Sequence, residues 1–170
     1  FLQEPYGVAC VDDARRIGPA DLVLLAVKPQ VMMGVLKGIA EEDAYAGGPD
    51  GPLFVSIAAG LSTARLEAAL PPGARLVRTM PNMAASVGES MTALAPGSSA
   101  SAEDLETVRT LMETIGRTVV LEEKDFSSFI GLAGSSPALV CAFIDALARA
   151  GVMGGIPKAQ AVQIVAQAVL

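Results

Sequence analysis

A chain of 170 residues, 52% of them hydrophobic and with a mean hydropathy of +0.49, can bury the core of one domain, or of one domain and part of a second. A net charge of −6, a pI of about 4.6 and the lack of any Lys/Arg run argue against binding a phosphate backbone, so no nucleic-acid partner is expected. The absence of histidine removes Ser-His-Asp and Cys-His catalysis and histidine-based metal sites.

Cys10 and Cys141 stand far apart in apolar surroundings, so buried, reduced thiols are expected, with neither a disulfide framework nor a metal site. The chain opens on Phe1 rather than Met, so residues are expected before it.

In chain order, residues 6–11 (YGVACV) predict a short strand and 12–18 a short helix or turn. Leu22 to Val27 is a continuous apolar run, the pattern of a strand covered on both faces. After Pro29, Val31, Met32, Val35, Leu36 and Ile39 share one helical face, and the glycines and prolines of 45–52 predict a loop. "LFVSIA" (53–58) predicts a second strand, broken at Gly60, with Ser62 capping a helix to Leu70. "ARLVRTM" (74–80) and "MTALA" (91–95) predict further strands on either side of an irregular "PNMAASVGES". Ser101 and Asp104 have capping-box spacing for a helix over 102–115, with Gly116 as its stop and "RTVVLE" (117–122) as the fifth strand.

Strands alternating with helices of about ten residues predict a mostly parallel α/β sheet. From Lys124 the pattern becomes all-helical: 124–134, 137–150 ending at Gly151, and 157–170 with Pro157 at its first position and no stop signal before the chain ends. The domain boundary falls near 122–125, giving units over 1–123 and 124–170. The uncharged stretch from Phe126 to Ile144 holds four serines, two glycines and a proline, which favours a helix buried in protein over a membrane span. The seven methionines, 32, 33, 80, 83, 91, 112 and 153, have no ligand-like spacing and are expected to fill the core. Asp145 is expected to be a solvated or interfacial charge.

Three successive strands end alike: Val27-Lys28-Pro29-Gln30, Ser56-Ile57-Ala58-Ala59-Gly60 and Arg78-Thr79-Met80-Pro81-Asn82. Ligands of open parallel sheets bind beyond the carboxyl ends of strands. Small residues there admit a flat ligand, and Lys28 and Arg78 offer positive charge to an anion. The phosphate loop G-x-G-x-x-G is nowhere in the chain, and Gly151, Gly154 and Gly155 follow a helix. A dinucleotide fold would therefore have its first strand and glycine loop before Phe1.

"LLAVKPQ", "VSIAAGL", "LVRTMPNMAASVGES" and "GLAGSSPALVCAFIDALARAGVMGGIPKAQAVQIVAQAVL" together resemble the pyrroline-5-carboxylate reductases, in order over essentially the whole chain. The resemblance implies a Rossmann-like dinucleotide-binding domain lacking its first βα unit (1–123), followed by an all-helical dimerisation domain (124–170), with further residues after Leu170. It implies a cytoplasmic enzyme of proline biosynthesis that uses NADPH or NADH to reduce 1-pyrroline-5-carboxylate, a small-molecule substrate. It also implies a homodimer or a ring of dimers, with no membrane or nucleic-acid partner.

Residue by residue, the resemblance places Ala26, Val27, Lys28 and Pro29 along the cofactor, with Ile57, Ala58 and Ala59 beside them. It places Asp13 near the adenosine end, Asn82 of Met80-Pro81-Asn82 near the nicotinamide, and Pro137 at the domain junction. Asp13 replaces the family's usual asparagine. Met83-Ala84 stands for the usual Thr-Pro, and Ala133 and Ser136 for the Ser and second Gly of Ser-Gly-Ser-Gly-Pro-Ala. Ser135 and Ser136 are candidate proton donors, with polar capping before Pro137 as their other role. The donors for the substrate carboxylate are expected in a Gly-Thr turn beyond this chain. A β-hydroxyacid-type dehydrogenase is the alternative enzyme, although the helix 137–150 carries Arg149 and no lysine. The changes at 83–84 and 133–136 suggest a further alternative, a nucleotide-binding paralogue without turnover.

Overall fold

A computed structural model describes residues 7–13 and 18–169. The expected helix or turn at 12–18 lies partly outside them, and Asp12 and Asp13 form a bend. Residues 7–11 are exposed and form no strand, contrary to expectation. An extended segment counts as a strand only when a neighbour pairs with it, and among the described residues none does.

By contacts the chain divides into two units, Phe1–Phe126 and Ser127–Leu170. The first holds β1 (Leu22–Leu25), α1 (Pro29–Ala40), β2 (Leu53–Ser56), α2 (Thr63–Glu67), β3 (Arg75–Met80), β4 (Ser90–Pro96), α3 (Ala102–Glu113) and β5 (Gly116–Val120). The strands form one sheet in sequential order. β1–β2, β2–β3 and β4–β5 pair parallel and β3–β4 antiparallel, so the sheet is mostly parallel. The reversal at β4 follows from length: Pro81–Glu89 is too short for a crossover helix that would carry the chain back to the far edge.

Alternation along the strands divides the core between two faces. Phe54 and Leu76 point to one, where Met32, Leu36 and Ile39 of α1 and Leu66 of α2 meet them. Leu53, Val55, Val77 and Leu94 point to the other, against Val108 and Met112 of α3. Burying each of these large side chains contributes about 1.5–3 kcal/mol. Tyr45, expected in a loop, is buried under α1 within a 3₁₀ turn, Asp43–Tyr45. Val31, expected on the buried face of α1, is 55% exposed, since it lies in the first turn beyond the strand end.

The capping box of α3 is present in full: the Asp104 amide donates to Ser101 Oγ, and the Ser101 amide donates to Asp104 Oδ2. α2 is capped as expected by Ser62 but ends at Glu67, before the expected Leu70. Gly116, expected to stop α3, is instead the first residue of β5.

The helical stretch from Glu123 onward, which leaves the first unit at Phe126, is less regular than the sequence predicts. Glu123–Asp125 and Phe126–Phe129 lead into a π turn, Ile130–Gly134, where the Ser135 amide donates to the Ile130 carbonyl. Gly131 and Gly134 make this widened turn cheap, because glycine holds a regular helix poorly. α4 (Ser136–Met153) continues through Gly151, where a stop was expected, and α5 spans Lys158–Ala168. Gly151 serves packing rather than termination: a Cβ there would stand 3.3 Å from Ala161 Cβ of α5. Pro157, expected at N1, is instead the N-cap of α5, whose first helical residue is Lys158.

Asp145 joins these two helices by accepting from Arg149 Nε at 2.8 Å and from Lys158 Nζ. Those hydrogen bonds, with the two positive charges, hold its carboxyl below the usual aspartate range. The helical run Glu123–Met153 is long and apolar enough, by length and composition, to cross a membrane. Of the stretch expected to be buried in protein, Phe126 and Phe129 are buried, and the rest is at most partly covered by other residues of this chain. Leu132, Leu139, Phe143 and Met153 are 76%, 69%, 55% and 90% exposed. Cys10 and Cys141 are exposed rather than buried, and Met83 as well as Met153 lies outside the core.

Candidate active site

Parallel pairing aligns the ends of β1, β2 and β3 on one edge of the sheet. Leu25 is in register with Ser56, and Ser56 with Arg78. The Ile57 amide continues the ladder to the Leu25 carbonyl at 3.3 Å. The edge thus brings together Ala26, Val27, Lys28 and Pro29 with Ile57, Ala58 and Ala59, and next to these Met80-Pro81-Asn82. The segments expected from sequence share this edge because three strands in a row run the same way.

Each segment has a local reason for its course. Pro29 opens α1, where its missing N–H costs nothing, and the Val31 amide closes the first turn on the Lys28 carbonyl. Lys28 is exposed at the mouth of α1. Ala26 and Ala59 are exposed with no bulk beyond a methyl, and a Cβ on Gly60 would meet nothing within 4 Å. Small side chains, one exposed ammonium and the N-terminal end of α1 fit a flat, anionic dinucleotide, the chemistry of NAD(P)H. The glycine loop that would hold its pyrophosphate is not in this chain.

Asn82 is committed to the fold. Its Oδ1 accepts from the Ala84 and Met91 amides, both at 3.3 Å, and its own amide donates to Ser90 Oγ at 3.2 Å. These bonds turn the chain out of β3 and set Met83–Val87 beside it. Met83 is 65% exposed and Ala84 partly so.

Arg78 does not offer its charge to a ligand at this edge. It is 6% exposed, its Nη1 donates to Glu123 Oε1 at 2.6 Å, and its guanidinium carbon lies 4.6 Å from the centroid of Phe126. An arginine this deep needs a carboxylate, and Glu123 supplies it. Neither Glu123 nor its second partner Thr63 stands out in the sequence. They lie sixty positions apart and belong to no motif.

Asp13 is half-buried in the bend before the sheet. Ser135, Ser136 and Pro137 belong to the helical unit. Ser135 occupies the N-cap of α4, but its side chain makes no capping bond, so the polar-capping role is not realised there.

A mostly parallel sheet with helices on both faces and small residues at its carboxyl edge defines a Rossmann-like nucleotide-binding fold. Similarity to known proteins makes this more specific. The family model for pyrroline-5-carboxylate reductase dimerisation matches residues 123–170. A pyrroline-5-carboxylate reductase of Synechocystis sp. is 36% identical over 171 residues, covering 100% of this chain and 61% of the relative. A solved pyrroline-5-carboxylate reductase from Coxiella burnetii superposes with a TM-score of 0.90 at 29% identity, covering 99% of this chain and 62% of that one. The Plasmodium falciparum enzyme, solved with NADP bound, superposes with a TM-score of 0.79 at 27% identity, covering 88% and 55%. Residues 123–170 thus match the dimerisation domain of the pyrroline-5-carboxylate reductases, and the whole chain is similar to these enzymes, of whose length it spans about three fifths.

Proposed function

We propose that the protein containing this chain reduces 1-pyrroline-5-carboxylate to L-proline, as part of proline biosynthesis in the cytoplasm. The observation that carries this reading is the shared sheet edge of Ala26–Pro29 and Ile57–Ala59, in a chain whose relatives over its whole length are pyrroline-5-carboxylate reductases. When bound at that edge, NADPH or NADH supplies the hydride that reduces the imine carbon.

The chain's own part is placement. Ala26 and Ala59 admit the flat rings while Ala58 packs into the core beneath them, Lys28 attracts the anionic cofactor, and Asn82 shapes the turn beside them. The imine nitrogen arrives protonated or takes its proton from a hydroxyl, for which Ser135 and Ser136 are the candidates. Holding two reactants in register is worth on the order of 7–11 kcal/mol, so no histidine is required.

The exposed apolar side chains of α4, Leu139, Phe143 and Leu147 among them, support assembly as a homodimer, and a ring of such dimers is the larger form proposed. A second copy is favoured over a bilayer because the matching family model is one of dimerisation. Neither membrane nor nucleic acid is proposed as a partner.

The test follows NADPH and NADH oxidation by the full-length protein with pyrroline-5-carboxylate, and assays proline. Substrate-dependent oxidation with proline formed is the expected result. Nucleotide binding without oxidation would overturn the reductase in favour of the silent paralogue, with Met83, Ala84, Ala133 and Ser136 the first positions to revert.

A further inference from the structure

The segment Ile57–Ser62, which carries Ala58 and Ala59 at the sheet edge, is held at both ends. At the near end Thr79 Oγ1 donates to the Ser56 carbonyl at 3.1 Å, and the Ala58 amide donates to Ser56 Oγ at 3.3 Å. Ser56 and Thr79 are fully buried, so this anchor does not compete with water. At the far end Thr63 gives both its donors to a single carboxylate. Its amide reaches Glu123 Oε1 at 2.6 Å and its hydroxyl reaches Oε2 at 2.7 Å.

Glu123 is itself fixed by Arg78, which is in register with Ser56 on the neighbouring strand. The contacts close a ring: Ser56, the segment to Thr63, Glu123, Arg78 and back to Ser56. Capping alone does not explain it. Ser62 already caps α2 by accepting from the Arg65 amide at 3.2 Å. What Glu123 adds is a fixed distance between Thr63 and β3.

We infer that Glu123 is a positioning residue for the nucleotide: acting through Thr63, it sets the backbone of Ala58 and Ala59 at the sheet edge. The inference rests on the reading that NAD(P)H lies along that edge. An ion pair serving only stability would lower the melting temperature when broken and leave the nucleotide affinity of the folded protein unchanged.

The experiment uses the full-length protein and measures the Kd of NADPH and NADH by calorimetry, together with kcat and cofactor KM. Glu123→Gln is expected to raise Kd and cofactor KM about tenfold while kcat changes less than about twofold. Thr63→Val, which removes one bond from the other side and keeps the shape, is expected to raise Kd about threefold, and Thr63→Ser to restore it. The double variant Thr63→Val/Glu123→Gln is expected to be no worse than Glu123→Gln, because both break one link.

Wild-type Kd in folded Glu123→Gln and Thr63→Val overturns the positioning role. If Glu123→Gln does not fold, Thr63→Val and its serine counterpart decide alone. A wild-type protein that binds neither nucleotide removes the reductase reading, and the positioning role with it.

Discussion

Gly116 lies directly opposite Ser90 in the β4–β5 ladder, and a Cβ placed on it would stand 2.1 Å from the Ser90 carbonyl oxygen. Its φ of +150° belongs to glycine, and the Ser90 amide draws the strands together by donating to the Ile115 carbonyl at 2.8 Å. Gly116→Ala must therefore both strain its backbone and push β4 away. A loss of about 2–4 kcal/mol is expected from chemical denaturation of the full-length protein. A change below about 0.5 kcal/mol, the ordinary range of surface substitutions, would show that the ladder relaxes freely.

Asp104 works twice. One oxygen closes the capping box with Ser101, and the other accepts from Arg75 Nη1 at 2.6 Å, on a side chain only 6% exposed. Arg75 also donates to the Gly51 carbonyl at 2.5 Å, so this one pair ties α3, β3 and the loop before β2 together. Asp104→Asn keeps the size and removes the charge, and it is expected to cost about 1–3 kcal/mol. Asp104→Ala should cost more, because it removes the cap as well. Equal melting temperatures for wild type and Asp104→Asn would show that the charge contributes nothing.

Glu123 makes stability depend on pH in a definite direction. Desolvation pushes its carboxyl up, but the hydrogen bonds from Thr63 and Arg78, with the Arg78 charge, outweigh it and hold the carboxyl below the ordinary value of 4.5. A carboxyl with a lower folded pKa stabilises fully above its unfolded value and loses that contribution as pH falls through the folded one. The stability advantage of wild type over Glu123→Gln should therefore be constant near neutrality and shrink below about pH 4.5. Thermal melts of both proteins between neutral and acidic pH measure this. An advantage that grew on acidification would contradict the assigned direction.

Lys28 is exposed, so Lys28→Ala is expected to change stability by less than about 0.5 kcal/mol. Its charge at the mouth of α1 is expected to matter for the cofactor: KM for NADPH should rise, and the rise should diminish with added salt as the lost attraction is screened. An unchanged KM with a lowered melting temperature would make Lys28 a structural residue.

The local sequence was enough for the elements that depend on neighbours a few positions away. Continuous apolar runs marked β1 and β2, Ser101 and Asp104 marked the start of α3, and Pro29 marked the start of α1. The strand-end motifs were likewise legible, because in a parallel sheet the side chains that meet a ligand follow directly after the apolar run. The resemblance to the reductases came from the order of those motifs along the chain.

Other features depended on partners the sequence does not place nearby. Arg78 read as a cation for a ligand until folding set it against Glu123, forty-five residues on, and over Phe126. The apolar stretch 7–11 has the composition of a strand, but a strand exists only where another pairs with it. Gly116 and Gly151 read as helix stops, yet Gly116 lets β4 approach and Gly151 lets α5 pack closely. Short-range periodicity and capping are written in adjacent residues and so were determined by the sequence itself. Charge pairing, strand pairing and close backbone approach join residues tens of positions apart, and only the tertiary structure decided them.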